Sequence, residues 1–167
     1  MTSPSWRVGA DGSAVPGSVY LETVRAAAED AAWLDRVAGR MRSREGVHGG
    51  SMEAARQGES DPTAATDARI DWEDAHARQA AMDADAVEDC RRLLYGSGSG
   101  GGMMALSRGA TTVVELRCMR ALPWRKVVES SVMSERWCRE QLAVAADLID
   151  SLGYDAVERG DGGAMDA

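Results

Sequence analysis

Arg136 and Arg139 stand three residues apart between Glu135 and Glu140, with Ser134 directly ahead of them. On a helix that spacing puts both guanidiniums on one face. A guanidinium can bridge the O6 and N7 of guanine or grip a phosphate in two-pronged fashion, and a glutamate can accept from the cytosine amino group. Arg125 and Lys126, a short segment earlier, suit backbone phosphates. The same charges also suit the solvated face of an ordinary helix, so the surrounding elements must decide.

Other residue patterns carry less chemistry. "DWEDAHARQ" sets Glu73 and His76 within one helical turn, and His48 lies far away in a loop. A lone carboxylate and imidazole one turn apart suit a solvated helix face better than an acid–base pair. "GSGSGGG", Gly96 to Gly102, contains the spacing G-x-G-x-x-G at Gly96, Gly98 and Gly101. A nucleotide loop of that kind needs a strand before it and a helix opening within it. Here a helical pattern precedes it and no Gly-Lys-Ser/Thr follows, so 96–107 reads as a flexible linker. Cys90, Cys118 and Cys138 are odd in number and widely spaced, which argues against a disulfide framework and against zinc-finger spacing. They suit small core positions. No enzyme activity, cofactor or metal is expected.

The elements that must position the arginines are helical. The 167-residue chain has 5% aromatic residues, no Phe and many alanines, an inventory for closely packed helices around a thin core. Residues 1–17 are rich in Gly, Pro and Ser and read as disordered. Tyr20, Val24, Ala27, Ala31, Leu34, Ala38 and Met41 alternate in steps of four and three. This predicts a helix over Val19–Arg44, capped by Ser18, with one apolar seam. A loop follows at 45–66. A second helix is expected over Thr66–Tyr95, with Ile70, Ala77, Ala80, Ala84, Val87 and Leu94 on its buried face. Together they make region 18–95 a helical hairpin or a coiled-coil arm able to self-associate.

Residues 108–153 read as three helices. Thr111 or Thr112 caps the first, which runs to about Ala121. Pro123 opens a short one to Ser130 with Trp124, Val127 and Val128 inward. Ser134 caps a longer one, Glu135 to Leu152, whose inner face is Cys138, Leu142, Ala145, Ile149 and Leu152. The last two form the outline of a helix-turn-helix. The chain carries net charge −8, yet Arg108 to Leu142 holds 7 basic residues against 4 acidic ones, so its one cationic region coincides with that outline. The end of the chain, 154–167, is acidic and Gly-rich and reads as a disordered tail. No apolar run approaches the roughly 18 residues that cross a bilayer, and no signal-peptide pattern opens the chain; the cytoplasm is the expected compartment.

Three stretches, "ESDPTAATDARIDWED", "VVELRCMRALPWRKVV" and "VMSERWCREQL", carry a resemblance. The C-terminal half is similar to the region-4 domain of bacterial sigma factors. Val19 to Gly153 resembles the small phage and prophage sigma-like late-gene transcription regulators. The resemblance implies an all-α fold, an N-terminal hairpin followed by a three-helix DNA-binding domain. It further implies double-stranded DNA as partner, host RNA polymerase as a second, and transcription regulation as the role. It places DNA-reading residues at Ser134, Glu135, Arg136, Arg139 and Glu140, and backbone contacts at Arg125 and Lys126. Cys118, Ser131, Val132 and Gln141 depart from the family pattern. Val132 stands where the family carries a Gly of positive φ, so strain is expected there. A small-terminase-like packaging protein and a helical protein-interaction module without DNA binding are the alternatives.

Overall fold

A computed structural model describes residues 6–48, 62–98 and 100–162, without the side chains at 41–48, 62–65, 69 and 73. The side chains of Met41 and Glu73 and most of the expected loop at 45–66 therefore lie outside what is described. Those described form seven α-helices and one π-helical turn, with no strand. They are α1 (Gly17–His48), α2 (Pro62–Tyr95), α3 (Gly102–Leu106), α4 (Arg108–Val114), α5 (Trp124–Ser131), α6 (Glu135–Leu152) and α7 (Tyr154–Arg159). The π turn, Glu115–Met119, continues α4. No helix among the described residues is long and apolar enough to cross a membrane.

α1 and α2 pack along each other. The seam of α1 follows its spacing: Tyr20, Val24, Ala27 and Leu34 are buried, Ala31 and Ala38 partly so. The face of α2 is rotated from the expected one. Ile70 is 43% exposed, and Ala77 and Ala84 are exposed too. Leu94 is buried as expected and Ala80 and Val87 are half-buried, but Asp83, Ala86, Asp89, Cys90 and Leu93 carry the rest of the buried face. Two aspartates in the core hid this periodicity, because an apolar count skips them. Helix α2 starts at Pro62 and α1 runs to His48, so the expected loop is shortened from both sides.

Asp89 is buried because it is fully partnered. Its Oδ2 accepts from Arg7 Nε at 2.9 Å and from the Tyr20 hydroxyl at 2.7 Å. Arg7 also donates to Glu158 on α7 at 2.9 Å. This network orders residues 6–16 and 154–162, a correction to the disorder expected there; residues 1–5 and 163–167 lie outside the described residues. Residues 6–16 form a turn bridged between Val8 and Ala14, with Arg7 7% exposed. Residues 154–159 are helical, and Tyr154 and Val157 enter the main core beside Leu93, Met103 and Ile149. Burying an ion pair is tolerable only when its remaining polar atoms are satisfied, and partners from three distant segments satisfy these.

Two glycines set close approaches. At Gly17 a Cβ would lie 2.6 Å from the Ala146 carbonyl oxygen, so α1 starts flush against α6. Its N–H donates to Asp150 at 2.7 Å; this carboxylate on α6, not Ser18, caps α1. Gly102 has φ +71°, and a Cβ there would lie 2.3 Å from the Leu94 carbonyl oxygen. The segment expected to be a flexible linker is thus a tight crossing that opens α3 and buries Met103. Its composition resembles a linker because both need residues without Cβ.

Candidate nucleic-acid interface

Helix α4 is capped by Ser107, whose Oγ accepts from Ala110 N at 3.2 Å. Thr111 and Thr112, the expected caps, lie inside the helix and donate to the carbonyls of Ser107 and Arg108. Pro123 sits one position before α5, and its carbonyl accepts from Lys126 and Val127 N–H. Val127, Val113, Leu116 and Cys138 form a small second core, with Trp124, Val128 and Trp137 packed around it. That core fixes α5 against α6.

The turn between them closes on Val132, whose φ is 60° and ψ 29°. Its N–H donates to Val128 at 3.0 Å. The left-handed geometry expected at this position is present without the usual glycine. Ser131 occupies an apolar residue's place by hydrogen bonding: its Oγ accepts from Met133 N at 3.2 Å and lies 3.3 Å from Cys138 Sγ. Gln141, half-buried, faces Gly109, where a Cβ would meet its amide oxygen at 2.6 Å. Ser134 then caps α6, accepting from Trp137 N at 3.1 Å, as its sequence position predicts.

The seven sequence-derived site residues all lie on α5, on α6 or at the α6 cap, and all are exposed. Their electrostatics differ. Arg136 is 90% exposed along its side chain and pairs with Glu140 at 3.1 Å. Arg139 pairs with Glu135 at 3.4 Å, and its Cζ lies 4.5 Å from the Trp124 ring centroid. Lys126 pairs with Glu129 at 3.3 Å. Arg125 has no partner among the described residues. Four cations thus face three carboxylates, a weaker footprint than the basic count suggested.

Two contributors were missed in the sequence. Arg117 donates to the Leu122 carbonyl at 3.0 Å and stacks its guanidinium 4.7 Å from the same Trp124 ring. Arg25, from α1, lines the cavity beside Arg117 and Arg139. The π turn brings Arg117 there, and no propensity signals such a turn. The thiol of Cys118 is pushed up to about 12, chiefly by burial, and burial raises Cys90 as well. His76 stacks on Trp72 on the hairpin, far in sequence from this site. Among the described residues no group of His, Cys, Asp and Glu could hold a metal ion. The chain matches no family model, no curated protein and no solved structure.

Proposed function

We propose that the chain binds double-stranded DNA through α5, its turn and α6, acting as a sigma-like transcription regulator of phage type with host RNA polymerase as a further partner. The observation that carries this reading is Arg136. It projects almost wholly into solvent from the first turn of a helix whose start is fixed by Ser134 and whose inner face is anchored on α5. A helix-turn-helix offers its second helix to the major groove in this way. Neither α1 nor α2 covers Ser134, Glu135, Arg136 or Glu140, which are all exposed. Arg125 and Lys126, exposed on α5, serve phosphates.

Fluorescence anisotropy of a labelled duplex over a salt series tests the reading. The expected result is binding that weakens with salt, with a slope of about −1 to −3 for the few cations available. No duplex binding at low salt by folded protein refutes it. One observation favours a second reading, a protein-docking turn: Val132 is 86% and Met133 41% exposed, side by side. A closed ring in light scattering would favour the packaging alternative.

A further inference from the structure

A cavity of about 360 Å³ opens between the first turns of α1, the π turn, the start of α5 and the middle of α6. Its volume sits at the lower end of the roughly 300–1,000 Å³ that small-molecule sites span. Leu21, Leu142 and Trp124 give it apolar walls, and Arg25, Arg117 and Arg139 give it three guanidiniums. These guanidiniums are not equivalent. Arg25 is engaged by Glu22 and Glu29, and its hydrogen bond holds Glu22 below the usual carboxylate range. Arg117 gives one N–H to the Leu122 carbonyl, and Arg139 makes only a long contact from Nε to Glu135. Their remaining N–H groups have no partner among the described residues. Both cations stand over one indole ring, 4.7 and 4.5 Å from its centroid.

Two guanidinium forks with open donors line one pocket beside an apolar wall and match one anionic group carried on an apolar body. A carboxylate can accept from both forks at once, and the body removes the half-buried Leu142 and part of Trp124 from water. Inorganic phosphate offers the charge without the apolar contact. We propose that this pocket is a binding site for a small organic acid, its carboxylate taken by Arg117 and Arg139 and its apolar body seated against Leu21 and Leu142. Because Arg139 belongs to α6, an occupied pocket holds this helix and α1 together. The site stands on its own geometry, independent of DNA.

The test is a titration of the full chain with sodium benzoate, followed by the indole N–H signal of Trp124 in two-dimensional NMR, with no duplex present. A saturable shift is expected with benzoate, none with benzyl alcohol, and a weaker one with inorganic phosphate. Arg117→Gln is expected to weaken benzoate by about tenfold or more, the loss of one charge-assisted fork. Should that variant fold poorly, Arg139→Gln carries the same test from the other fork. Equal shifts from benzyl alcohol, unchanged affinity in a folded variant, or no saturable benzoate shift would each overturn the proposal.

Discussion

The guanidinium carbon of Arg139 lies 4.5 Å from the centroid of the Trp124 ring, a contact that ties α6 to the start of α5. Arg136, three residues earlier on the same helix, pairs with Glu140 and makes no other hydrogen bond among the described residues. Two arginines with one sequence signature therefore do different work. One fastens the two helices, and the other reaches outward.

The pair can be separated by substitution. Arg136→Ala is expected to weaken duplex binding by about 5- to 100-fold, the loss of roughly 1–3 kcal/mol for one base contact. Its Tm should stay within about a degree or two, as for most surface changes. Arg139→Ala is expected to lower Tm by about 1–4 °C through loss of a cation–π contact of roughly 0.5–1 kcal/mol. Calorimetry and anisotropy on both variants check this. The opposite assignment of effects would reverse the roles.

Glu135 and Glu140 hold the two arginines in i,i+4 pairs. Exposed pairs of this kind add little stability, so replacing either glutamate by Gln should leave folding intact. Each change frees a cation for phosphate. The slope of log K against log salt is expected to steepen by about one, with tighter binding to duplexes of arbitrary sequence. Electrophoretic mobility shifts at several salt concentrations measure it.

Val132 adopts the left-handed region while 86% exposed. A β-branched residue is strained there, and its side chain gains little from packing. Val132→Gly is expected to stabilise the chain by about 1 kcal/mol, or roughly 2–4 °C in Tm for a chain of this size. Thermal unfolding decides, and a lower Tm would mean the valine is held by something outside this turn.

Asp83 is buried on α2, and its Oδ2 accepts no hydrogen bond among the described residues. Oδ1 accepts from Gln79 at 2.9 Å. Burial first, and Asp30 beside it second, push this carboxyl above its ordinary value. A raised carboxyl costs stability above its folded value and none below its unfolded one. Asp83→Asn is therefore expected to raise Tm at pH 7 by about 2–4 °C, on the order of 1 kcal/mol. That advantage should shrink as pH falls through the raised value. Unfolding curves of both proteins at pH 7 and at mildly acidic pH check the sign.

Asp89 presents the opposite case, a buried carboxylate with partners on every side. Asp89→Ala leaves the Arg7 guanidinium with Glu158 and a long contact to the residue-89 carbonyl, and is expected to cost about 3–5 kcal/mol. Denaturant unfolding measures it. A loss below about 1 kcal/mol would mean that residues 6–17 contribute little to the fold.

The sequence makes the C-terminal half legible because its signals are local. Ser134 precedes an apolar rhythm, Pro123 marks a helix start, and Val132 occupies a turn position whose geometry needs a positive φ. The same holds for the α1 seam from Tyr20 to Leu34. What stays hidden depends on distant partners. Arg7 is buried only because Asp89 and Glu158, 82 and 151 residues away, receive it. Asp83 and Asp89 turn the buried face of α2 away from its apolar pattern. Gly102 reads as linker until Leu94 is seen against it. At the candidate interface the residue types are visible, but the ion pairs that neutralise them and the contacts of Arg117 and Arg139 with the Trp124 ring are not.

Selection of bound duplexes from a random pool tests DNA reading by α6 most directly, with Arg136→Ala selected in parallel. The expected result is enrichment of a short motif by the native chain and loss of preference at one position of it in the variant. Recovery of an unenriched pool by folded protein at low salt, or an identical motif from both proteins, would contradict it.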